Sequence, residues 1–147
     1  MTPREYAEKI NAWARGTLIA SHGTRFLSAG EGRAVARLPF RPELGQLTGL
    51  FHAGAIVALA DEAATAAALT TTNPGGDPRP DLFPLTLQLS ANLIRNTNRG
   101  ALTAEAEVVH RGRTTIVVDV RVRDDEGRLI ATLAATQLAP RPAPGAA

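Results

Sequence analysis

Residues 53–69, Ala-Gly-Ala-Ile-Val-Ala-Leu-Ala-Asp-Glu-Ala-Ala-Thr-Ala-Ala-Ala-Leu, constrain the fold more than any other part of this 147-residue chain. Good helix formers dominate the stretch and apolar residues cover every face, which predicts a helix buried nearly all round. Its alanines are small enough for a sheet to approach closely. The longer apolar run from Leu50 to Leu69 is interrupted by His52, Asp61 and Glu62. It is mostly alanine, too weakly hydrophobic for a membrane span. A core helix is expected, and no membrane partner.

Such a helix needs a wall around it, and the flanking sequence supplies one. Arg33 to Phe40 alternates polar and apolar residues and stops near Pro39, which predicts the first strand. From Phe83 onward the period is again two, in Pro84–Ile94, Leu102–Val108 and Val118–Arg123, and Leu129 to about Leu138 is expected as the last strand. Turn sequences at 96–100, 111–113 and 124–127 separate these runs, and short turns between successive strands predict an antiparallel meander. Before the first strand, Tyr6, Ile10, Trp13 and Thr17 recur at helical spacing, so residues 2 to about 20 are expected to form one packing helix. The chain thus reads as a single α+β domain over residues 1–139, a sheet wrapped around a long helix, followed by a disordered Pro/Ala-rich tail at 140–147.

Composition removes several function classes. Without cysteine there are no disulfides, thiolate metal sites or cysteine nucleophiles. Three scattered histidines predict no metal site, and no cofactor is expected. The first ten residues carry Arg4, Glu5, Glu8 and Lys9 with no apolar stretch behind them, so no signal peptide and a cytoplasmic location are expected. The formal charge is only +2 and the arginines are scattered, which argues against nucleic acid. A ligand with a few phosphates suits this balance better.

Asp61 and Glu62 are the only charges in the apolar helix, and burying a carboxylate without a partner is costly. Adjacent helical residues point about 100° apart, so at most one of the pair is expected to face any given cavity. The bland alternative places both on an exposed strip. Thr48-Gly-Leu-Phe-His-Ala-Gly54 leads directly into the helix, so the N–H groups of Ala53 and Gly54 are expected as unpaired first-turn donors, a site for a developing oxyanion. His22 and His110 show no partner pattern.

Gly49-Leu-Phe-His52-Ala-Gly54 followed by Ala58-Leu-Ala-Asp61-Glu-Ala-Ala resembles the G-x-x-H-G-G-x(6)-L-x-D-x-A block of the PaaI-like branch of the 4-hydroxybenzoyl-CoA thioesterase superfamily. The runs Val109–Val120 and Glu126–Ala131 are similar to that family's last strands. The resemblance implies the hotdog fold, acyl-CoA as substrate, hydrolysis to a free acid and CoA, and a homodimer or homotetramer with sites shared between subunits. It also implies Asp61 as the catalytic carboxylate, the Ala53 N–H at the thioester-polarising position, Gly54 as the second glycine of the block, Gly49 as its loop glycine, and Thr86 as a hydroxyl that positions water. Two positions depart from the pattern: Ala53 replaces a glycine, and Gln46 stands where asparagine is common. Whether Asp61 acts as nucleophile or general base stays open, as does whether His52 contacts substrate or caps the loop. Ser90 and Asn92 are candidates to face the pocket, and Arg95, Arg99, Arg111 and Arg113 to hold CoA phosphates, with solvated strand and turn positions as the alternative. A non-catalytic acyl-CoA-binding hotdog domain is the rival expectation.

Overall fold

A computed structural model describes residues 1–141 of the chain; the expected tail beyond Arg141 lies outside the described residues. Helix α1, Pro3–Trp13, starts with a capping box in which Thr2 and Glu5 satisfy each other's backbone N–H, and it buries Tyr6, Ala7 and Ile10. The expected single helix to about Ala20 does not form. Gly16 takes a left-handed conformation (φ +77°) and breaks it, and the chain resumes as a short helix α2, Leu18–His22, none of whose residues is fully buried.

The first strand is not Arg33–Phe40 but β1, Arg25–Gly30, joined to β2, Arg33–Pro39, by Glu31 and Gly32, both at positive φ as a tight hairpin turn requires. A bulge at Leu27 buries Phe26 and Ala29 instead of alternate residues, which hid β1 from a period-two search. Helix α3, Ala53–Thr72, follows, then β3 (Leu85–Leu93), β4 (Ala101–Arg111), β5 (Thr115–Arg123) and β6 (Leu129–Leu138).

All pairings in the six-stranded sheet are antiparallel, in the order β1-β2-β4-β5-β6-β3. The expected meander holds for β4-β5-β6 only. β3 instead crosses to the far edge and, among the described residues, pairs with β6 alone, leaving Leu85, Leu87 and Leu93 exposed. Among the described residues α3 alone is long and apolar enough to cross a membrane, yet it packs against all six strands. Ala63, Ala64, Ala67 and Ala68 are fully buried there. Enlarging any of them would overpack the contact, at about 1–3 kcal/mol. The helix and sheet close on Phe26, Leu38, Phe51, Ile56 and Leu59, with Ile116 and Ile130 opposite.

Candidate active site

Midway along α3, Asp61 meets the edge strand. Thr86 Oγ1 on β3 donates to Asp61 Oδ1 at 2.7 Å. Gln137 on β6, with no exposed surface, donates from Nε2 to Thr86 Oγ1 (3.2 Å) and to Thr65 Oγ1 (3.0 Å), one helical turn beyond Asp61. With its lone pairs engaged by Gln137, the Thr86 hydroxyl is left to point its proton at the carboxylate. The amide cannot ionise, so this chain orients Asp61 without shuttling protons. Burial holds the Asp61 pKa above its ordinary 3.8, and the Thr86 hydrogen bond opposes it without prevailing.

Glu62 does not point away from this site. Both residues line one cleft of about 310 Å³, which corrects the expectation that only one would. The cleft is wide enough to border two adjacent positions of the helix, being walled by α2 on one side and the start of β3 on the other. Nor is Glu62 unpartnered: its Oε1 lies 3.2 Å from Nδ1 of His22, the residue for which no partner was expected. Its Oε2 is buried without a hydrogen bond among the described residues, as is Oγ1 of Thr24. Burial raises the Glu62 pKa, and Asp61 adds to this, against the opposing contact with His22.

At the start of α3, His52 is the N-cap, and its Nδ1 accepts the Gly54 N–H at 2.8 Å. Gly54 is therefore not the free donor that was expected; the side chain before it takes the bond. A Cβ at Gly54 would lie 2.9 Å from that nitrogen, so any other residue would have to displace the capping ring. The Ala53 N–H has no acceptor among the described residues. The loop leading in is a turn from Gln46 to Gly49: the Gly49 N–H donates to Gln46 O, Gln46 Oε1 accepts the Thr48 N–H, and Gly49 sits at φ +85°. Phe51 ties this loop to the β3–β4 connection through Thr97 and Asn96.

Other expected site residues are elsewhere. Ser90 and Asn92 face away from α3, on the outer side of the sheet beside Asp119 and Arg121. The four arginines do not cluster: Arg95 and Arg99 lie at the Leu129 end of β6, while Arg111 and Arg113 lie at the Leu138 end. A ten-residue strand separates these ends by about 30 Å. Arg95 donates to Leu129 O and Arg111 to Gly112 O.

Three participants were missed. Gln137 carried a signal, because it shares the inward phase of β6 with Ala131, Leu133 and Ala135, where a polar side chain is anomalous. Thr65 lies four residues from Asp61, on the same helix face. The His22–Glu62 contact joins residues 40 apart and left no local mark.

The sequence pattern of the Thioesterase superfamily matches residues 48–131, from the loop before α3 into β6. A 1,4-dihydroxy-2-naphthoyl-CoA hydrolase of Listeria monocytogenes is 30% identical over 108 residues, 74% of this chain and 83% of that one. Among solved structures, a mutant thioesterase of Pseudomonas aeruginosa superposes with a TM-score of 0.81 at 27% identity, covering 92% of this chain and 94% of its own. A Staphylococcus aureus thioesterase, solved as two alanine variants, superposes with TM-scores of 0.76 and 0.75 at 25% and 27% identity, over 84% of this chain and 98% and 99% of that one. The positions changed there are a glutamine and a glutamate fifteen residues apart.

Proposed function

The chain belongs to the thioesterase superfamily, has its hotdog fold and is a thioester hydrolase; on that premise we propose that it hydrolyses an acyl- or aryl-CoA to the free acid and CoA, with Asp61 as the catalytic carboxylate. One observation carries this reading: a half-buried carboxylate, aimed by the Thr86 hydroxyl, stands at the mouth of an otherwise largely apolar cleft. An ionised carboxylate so placed either attacks the thioester carbonyl directly or removes a proton from an attacking water. The thiolate leaves readily, so no strong general acid is required. Gln46 and Asp61 also stand fifteen residues apart, the spacing of the two positions replaced in the S. aureus enzyme. The Listeria relative, named for a CoA ester, supports the same substrate class.

Polarising the carbonyl requires a second chain. Eight residues of helix place the Ala53 N–H about 12 Å along the axis from Asp61, too far for both to touch one thioester. In a homodimer joined through the β3 edges, on their own or paired again into a tetramer, the free Ala53 N–H of one subunit faces the Asp61 of the other. The exposed leucines of β3 favour that edge as the interface. In this reading the enzyme works in the cytoplasm.

The test is a panel of acyl-CoAs with a thiol-trapping reagent, comparing wild type with Asp61→Asn. A loss of two or more orders of magnitude in the variant, with binding retained, is expected for a group acting in acid–base or nucleophilic catalysis. Binding without turnover by the wild type would mark an acyl-CoA-binding domain instead.

A further inference from the structure

The cleft beside Asp61 continues into another. Ile10, Ile19, Leu69, Phe83 and Leu85 wall both, and the second, of about 400 Å³, ends against Trp13. No charged residue lines this second cleft, and its one hydroxyl, on Thr17, already donates to Ala14 O. A charged or hydroxyl-bearing ligand group would lose its water there and gain no partner. Trp13 and Phe83 meet edge to face, with ring centroids 5.7 Å apart, and make a firm wall. The two clefts run along α3 from Asp61 to Leu69, about 12 Å of helix axis, the length of an extended hydrocarbon of roughly ten carbons.

We infer that these adjoining clefts hold the hydrocarbon of a straight-chain, medium-length fatty acyl group, with its thioester carbonyl at Asp61 and its methyl end against Trp13. The inference rests on the thioesterase reading and adds the class of acyl group. A single aromatic ring would fill the near cleft and leave the far one empty, whereas an unbranched chain fills both. Ile19 belongs to both walls and comes from α2, which touches α3 through the His22–Glu62 contact and is tied to Arg41 through the carbonyls of Ser21 and His22. Chain length is thus sensed at Trp13 and Thr17, far from the carboxylate.

Two measurements test this. The first compares kcat/KM for saturated acyl-CoAs from two to sixteen carbons in wild type and in Thr17→Phe, which sets a phenyl ring in the far cleft. Wild-type kcat/KM is expected to rise by up to about fourfold per added methylene and to level off near ten carbons, and the decanoyl-to-butyryl ratio to fall at least tenfold in the variant. The second needs neither turnover nor a folded Thr17 variant, because Trp13 is the only tryptophan in the chain. In Asp61→Asn, decanoyl-CoA is expected to shift tryptophan emission to the blue and butyryl-CoA to leave it in place. A wild-type enzyme that turns over short or aromatic esters with a flat length profile, or emission that ignores chain length, overturns the channel and leaves the thioesterase standing. Failure to turn over any ester overturns both.

Discussion

Thr86 and Asp61 lie 2.7 Å apart, hydroxyl to carboxylate, and the proton between them comes from the threonine because Gln137 occupies its acceptor side. In the proposed function Asp61 acts as a carboxylate, and burial keeps its pKa above 3.8, so kcat/KM is expected to fall with pH at an acid limb above that value. Thr86→Val removes the one bond that opposes the rise. The limb therefore moves to still higher pH, and kcat/KM at neutral pH drops roughly ten- to a hundredfold, the range for a lost hydrogen bond to a charge. A pH–rate profile of the variant that overlays the wild type would disprove the link.

Gln137→Leu separates positioning from folding. The amide is fully buried and its Oε1 has no partner among the described residues, so an apolar side chain of similar size removes an unsatisfied oxygen along with two donated bonds. Stability is expected to change by no more than about 1 kcal/mol. With Thr86 free to rotate, kcat falls on the order of tenfold while KM holds, since Thr86 and Thr65 line the cleft and Gln137 behind them does not. Equal losses in urea midpoint and activity would show a merely structural role.

Glu62 makes the stability pH-dependent. Burial raises its folded pKa above the ordinary 4.5, so the folded chain keeps this proton to higher pH than the unfolded chain does. The stabilisation that follows is complete below the unfolded pKa and is lost as pH rises through the raised folded value. Glu62→Gln carries no charge to desolvate, so urea unfolding from about pH 4 to about pH 8 should show the variant gaining on wild type as pH rises. Parallel curves would mean that His22 compensates the buried charge in full.

His52 caps α3 through Nδ1. His52→Ala is expected to lower stability by about 1 kcal/mol, and His52→Asn, a residue that also caps well, to restore it. If thioester turnover returns with stability in the asparagine variant, capping is the whole of its role; turnover that stays low while the fold recovers would assign His52 a contact with substrate.

Local pattern made part of this molecule legible. The apolar faces of α3 and the alternation of β4 and β5 are written residue by residue, because burial on one or both sides leaves a period in the sequence. β1 escaped because one bulged residue, Leu27, breaks the period, and the single N-terminal helix was overcalled because helical spacing runs across Gly16. The crossing of β3 to the far edge is a choice among pairings, which no strand records in its own residues. Asp61 and Thr86 were singled out by a family resemblance, whereas Gln137, His22 and the capping of Gly54 depend on groups that only the folded chain brings within reach.

Among the described residues of one subunit the strand that carries Thr86 has a neighbour on one side only, and in the proposed homodimer the β3 edge of the partner subunit supplies the other. Half a ladder opens more easily than a full one, and the cost of local opening is lowest at such margins. Diluting the protein until its subunits part should therefore silence it before it unfolds: catalysis fades as β3 frays, while α3 and the inner strands keep their amide protons, and concentrating it brings activity back without any need to refold.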